Sequence, residues 1–168
     1  MNVTGHLAIG AGTYLLIEKH LYIKESTDFT NETLFFSGLL ACLFGSLLPD
    51  IDHPSSTFGK RVKLISYPLS LIFGHRGITH SLFALILIGY FMLSAIDINH
   101  GFTLYQWVIF SMMVGYLSHI IIDYGSPQGV QLFYPFRRNY RFVIYKTPTM
   151  QFIIYFSYLS FCIWHYFS

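Results

Sequence analysis

Near-continuous apolar runs divide this chain more sharply than any other feature. Four of them, residues 33–48, 81–98, 104–122 and 149–167, have about the length a helix needs to cross the hydrocarbon core of a bilayer. Residues 3–23 form a weaker fifth, interrupted by Glu18, Lys19 and His20. Its apolar half, residues 7–17, is short for a full crossing, and the charged end is expected to snorkel to an interface. The pattern predicts an all-α fold: an integral membrane bundle of four to five transmembrane helices.

The polar intervals refine this picture. Residues 49–80 start polar and hold a short apolar stretch, 64–73, broken by Pro68, which reads as an interfacial or re-entrant helix. Residues 124–148 carry Gly125, Pro127, Gly129, Pro135 and several arginines, the chemistry of a loop with short extended pieces. No internal repeat or low-complexity tract divides the chain, so residues 1–168 are expected to form a single domain. The small-residue pairs Ala8 with Gly12 and Gly38 with Cys42 suit close helix packing.

Composition agrees with a membrane setting. Only 11% of the residues are charged and 54% are apolar, whereas a soluble domain carries about a quarter charged residues. A net charge of +2 is too small to point to nucleic acid, and none is expected as a partner; membrane lipids are. Cys42 and Cys162 each lie in an apolar run, where a buried thiol is expected, and two cysteines give neither a disulfide framework nor a zinc finger. Residues 1–6 lack a basic region ahead of a short apolar core, so no cleaved signal peptide is expected.

Lysine and arginine set the orientation. With five spans, Lys60, Arg61, Lys63, Arg76, Arg137, Arg138, Arg141 and Lys146 fall on one side, and only Lys19 and Lys24 on the other. This places the N-terminus and both long loops in the cytoplasm and the C-terminus outside.

On that topology His6, Asp50, Asp52, His53, His75, His80, His119 and Asp123 all fall at the cytoplasmic face, while His20, His100 and His165 fall at the other. His119 and Asp123, four apart, share one face of a helix. The run from Asp50 to His53 packs three possible ligands into four positions after Pro49, and His75 and His80 flank a glycine-permitted bend. A lone His or Asp near a helix end is usually a cap or an interfacial polar group. As a set, ionisable groups at a membrane edge are costly unless paired, and mixed imidazole and carboxylate donors suit zinc, with manganese or iron also admitted. Expected ligands are therefore His6, Asp50, His53, His75, His80, His119 and Asp123, with one or more ions. Asp52 is expected as a general base or as a partner orienting an imidazole, its side chain pointing away from the face that Asp50 and His53 share. Arg76 is expected to clamp a phosphate oxygen. The other arginines are read as topology determinants.

The motifs Gly5-His6, residues 47–56 (Leu-Leu-Pro-Asp-Ile-Asp-His-Pro-Ser-Ser), residues 74–81 (Gly-His-Arg-Gly-Ile-Thr-His-Ser), Ser118-His119 with Asp123, and residues 132–136 (Leu-Phe-Tyr-Pro-Phe) span nearly the whole chain. At these residues the sequence resembles the YdjM-like, LexA-regulated family of predicted membrane-bound metal-dependent hydrolases. That family is in turn distantly similar to zinc-dependent phospholipase C and the fungal single-strand nucleases. The resemblance implies a bacterial inner-membrane location, a site of one or more metal ions, and a hydrolase acting on an ester or phosphoester such as a lipid headgroup. A non-catalytic membrane scaffold is the second reading, and a metal or ion transporter the third.

Overall fold

The computed structural model of the protein describes residues 3–21, 30–74, 76–94 and 103–168, with side chains for all of these except 91–94. Among them are six α-helices: α1 (Val3–His20), α2 (Asn31–Gly45), α3 (Lys63–Phe73), α4 (Leu82–Ser94), α5 (Leu104–Tyr124) and α6 (Pro148–Phe167). Two 3₁₀ turns, Leu48–Asp52 and Ile78–His80, complete the regular structure. No strand occurs among the described residues; Val130 and Tyr140 form an isolated antiparallel bridge.

Local chemistry fixes where the helices begin. The Thr30 hydroxyl accepts from the backbone of Thr33 at the head of α2, and Thr147 accepts from Met150 at the head of α6, where Pro148 fits the first turn. Thr103 and Gln106 form a reciprocal capping box on α5.

By length and apolarity together, two described segments qualify as membrane spans: Asn31–Asp52, which is α2 with the turn that follows, and Leu104–Tyr124, which is α5. The other expected crossings are helical but fall short of that standard. α1 carries Glu18 and Lys19 near its end, and α6 mixes Gln151, Ser157, Ser160 and His165 into its run. The described part of α4 has 13 residues, and residues 95–98 of the expected span lie outside the described ones.

α5 is the central helix, with α2 packed along it and α1 set against α2, α5 and α6. The α2–α5 contact is backbone on backbone. A Cβ at Gly45 would strike the carbonyl of Met112, and one at Gly115 the carbonyl of Cys42, so only glycine permits this approach. Gly38 likewise packs under Tyr14 and Trp107, and Gly12 under Tyr158 and Cys162.

The burial pattern is inverted relative to a water-soluble domain. Among the described residues, buried polar and charged side chains are as numerous as buried apolar ones, while Phe36, Leu40, Ile86, Phe152, Phe156 and Trp164 face outward. Such a surface suits lipid contact. α3 is exposed along nearly its whole length: Leu64 is 94% exposed, and within the helix Ser66 is the buried residue. Residues 125–147 fold across the end of α5, tied by Phe142 N to Tyr124 O and Ile144 N to Gly125 O, each 2.9 Å.

Candidate metal centre

Where α1, α5 and the two 3₁₀ turns meet, five of the expected ligands converge. His6, Asp50 and His119 form one group of mutually close donor atoms, and His80, His119 and Asp123 form another; each group lies within 4.8 Å and is buried. The close α2–α5 approach lays the Ser46 carbonyl against His119 and starts the Leu48–Asp52 turn beside it. The second turn carries His80 in from the far side of α5, to 3.2 Å between its Nε2 and that of His119. His6 stacks flat on His119, with ring centroids 3.6 Å apart and 4° between planes.

Hydrogen bonding sets the tautomers. His119 Nδ1 lies 2.6 Å from the Ser46 carbonyl, which only accepts, so Nδ1 carries the proton and Nε2 presents a lone pair. Thr79 Oγ1 donates to Asp52 Oδ2 and lies 3.1 Å from His80 Nδ1, from which it accepts; Asp52 Oδ2 is itself 3.5 Å from that nitrogen. With Nδ1 carrying the proton, a neutral His80 presents its lone pair at Nε2 as well. Two lone pairs facing each other across 3.2 Å would repel, and either a proton shared between the rings or a cation among the rings and carboxylates would relieve them. Imidazole nitrogens on a tetrahedral zinc ion lie roughly 3.3 Å apart, so the spacing fits shared coordination.

The surrounding donors fit too. Asp123 has carboxylate oxygens 3.7 Å from His6 Nε2, 3.6 Å from His80 Nε2 and 3.8 Å from His119 Nε2, and Asp50 Oδ1 is 3.8 Å from His119 Nε2. Among the described residues both ring nitrogens of His6 are buried without a hydrogen-bond partner, and so is Asp123 Oδ1, while Asp123 Oδ2 is met by the Arg76 guanidinium. Leaving such groups unsatisfied costs about 1–3 kcal/mol each, and a bound ion would relieve the cost.

Asp52 and Arg76 form the wall behind these donors. Asp52 is fully buried. It points into the Arg76–His80 turn, accepting from the Arg76 backbone N–H at 3.1 Å and from Thr79. Leu48–Asp52 is a 3₁₀ turn, and the chain leaves it at His53 in an extended conformation, so Asp50 and His53 do not share the helical face expected of them. His53 consequently stands half-buried beside the Ser55 hydroxyl and belongs to neither converging group. Arg76 is buried, with Nη2 2.8 Å from Asp123 Oδ2 and Nη1 3.0 Å from both Ser126 Oγ and Gly129 O, so its guanidinium is engaged within the protein. His75 and His100 lie outside the described residues. His20 and His165 meet each other at the opposite end of α1 and α6, Nε2 to Nε2 at 3.2 Å.

Ser46, Thr79 and Ser126 were not among the expected site residues. Thr79 and Ser126 lie next to His80 and close after Asp123, which is the signal that could have found them. Ser46 acts through its carbonyl, which every residue has, and leaves no mark in the sequence.

A family model described as YdjM inner membrane protein matches residues 1–167. The inner membrane protein YdjM of Escherichia coli (strain K12) is 44% identical over 109 residues, covering 64% of this chain and 52% of that protein, and its counterpart in Shigella flexneri matches equally. An uncharacterized protein, YvsG of Bacillus subtilis (strain 168), is 33% identical over 101 residues, 60% of this chain and 59% of its own. The chain spans about half the length of the two YdjM proteins it matches. No solved structure matches, and these comparisons carry no likeness to phospholipase C or the single-strand nucleases.

Proposed function

We propose, from the premise that the chain belongs to the YdjM inner membrane protein family, that it is a metal-dependent hydrolase of the bacterial inner membrane acting on an ester or phosphoester, such as a lipid headgroup, at the cytoplasmic face. One observation carries the reading: the Nε2 atoms of His80 and His119 stand 3.2 Å apart, amid the carboxylates of Asp50 and Asp123. Zinc suits this donor set best, with manganese and iron also accommodated. When bound, such an ion supplies Lewis acidity toward water and toward the oxygens of the scissile group.

The residues divide the remaining work. His80, His119 and Asp123 hold the ion, with Asp50 and His6 completing its surroundings. Ser46 fixes the tautomer of His119, and Asp52 with Thr79 fixes that of His80, as outer partners of metal-bound imidazoles commonly do. The bundle crosses the membrane four to five times, with α3 in the interface and exposed basic residues at the same end as the centre, on the cytoplasmic side.

The test is hydrolysis of a chromogenic phosphodiester and of a phospholipid by the protein in lipid nanodiscs. Chelator should abolish activity, zinc or manganese should restore it, and His119→Ala should lack it in both states. Activity that survives both chelation and His119→Ala would refute the proposal.

A further inference from the structure

We infer that the centre holds one divalent ion and that the Arg76 guanidinium occupies the place of a second. This deepens the metal reading proposed above and rests on it.

The two groups of converging donors share His119. Its Nδ1 is committed to the Ser46 carbonyl at 2.6 Å, which leaves Nε2 as its one donor, and one imidazole lone pair serves one ion. The two groups therefore describe the surroundings of a single ion. A second ion would need a bridging carboxylate, and Asp123 is the central one. Its Oδ2 is already faced by Arg76 Nη2 at 2.8 Å, and the guanidinium is held there by Ser126 Oγ and Gly129 O, each 3.0 Å from Nη1. The guanidinium thus stands where a second ion would meet that carboxylate, and a second divalent ion there would have to displace Arg76.

Charge balance gives the same count. Among the described residues the buried cluster contains three carboxylates, Asp50, Asp52 and Asp123, and one guanidinium, Arg76. Two negative charges remain, which one divalent ion cancels and two would reverse. The backbone adds a third argument. Arg76 has φ 60, a left-handed conformation that costs a side-chain-bearing residue about 1–2 kcal/mol and that glycine would adopt freely. Gly74 nearby, at φ 74, shows the cheaper choice. An arginine held at this cost, its backbone N–H on Asp52 and its guanidinium on Asp123, is a positioning residue that balances the centre's charge and does not leave to clamp substrate.

The test is elemental analysis after loading with excess zinc and desalting, in a His20→Ala/His165→Ala background that removes the exposed imidazole pair. One ion per chain is expected, one again in Arg76→Lys, and two in Arg76→Met, where the freed carboxylate accepts a second. Two ions per chain with Arg76 intact would overturn the inference, and so would one ion in a folded Arg76→Met. The count with Arg76 intact decides the matter even if Arg76→Met does not fold. A count near zero is a different result, which sinks the metal reading itself.

Discussion

Ser46 and Asp52 each meet an imidazole from behind, one through a carbonyl and the other through a carboxylate, and neither belongs to the converging donor groups. Asp52→Asn keeps the volume and the contact with the Arg76 backbone but loses the charge that supports Thr79 and His80 Nδ1. It should weaken zinc affinity by about 10–100-fold with unchanged helical content, measured by competition with a chromogenic chelator. Unchanged affinity would reduce Asp52 to a structural role. At this scale much was legible in the sequence. His6, Asp50, His80, His119 and Asp123 stand out as ionisable groups at the ends of apolar runs, and the structure brings all five together. What could not be read was direction. His53 falls outside the converging groups because the 3₁₀ turn ends just before it and its backbone is extended, a matter of one residue's backbone angles.

Helices α2 and α5 place these residues, and their glycines set the distance. Gly115→Val would push Cys42 away and carry the Ser46 carbonyl off His119, so thermal stability should fall by about 1–3 kcal/mol and zinc content should fall with it. Gly89→Ala is the control, since its added methyl meets only the flexible end of Met113 at 3.3 Å. A Gly115→Val protein with full zinc content would show that the close approach does not build the centre. α3 invites a second test at this scale. Its exposed Leu64, Ile65, Leu71 and Ile72 adjoin exposed Lys60, Arg61 and Lys63, a composition suited to an anionic interface. An environment-sensitive dye on Leu64→Cys should shift to the blue in anionic nanodiscs, and less so after Lys60, Arg61 and Lys63 are changed to glutamine. A dye reporting water in every lipid would place α3 off the membrane. The apolar runs located the helices well, because continuous hydrophobicity is a local property. Which helices span is less local, since α1 and α6 dilute their runs with polar residues whose cost depends on neighbours the sequence does not show.

Over the whole molecule, polar groups are drawn inside and large apolar side chains face out, as in a bundle solvated by lipid. The basic residues of 60–63 and 137–146 gather at the end that holds the centre, and Lys19, His20 and His165 mark the other. Single cysteines at the exposed positions Thr57 and Thr30 test the orientation in intact cells: an impermeant thiol reagent added outside should label Thr30→Cys and spare Thr57→Cys. Labelling in the reverse order would turn the centre outward. Most direct for the central claim is the zinc content of protein purified from metal-supplemented medium, compared with that of His119→Ala. The account predicts about one ion per chain in the first and essentially none in the second, with both folded; equal content in the two, whether one or zero, would contradict it.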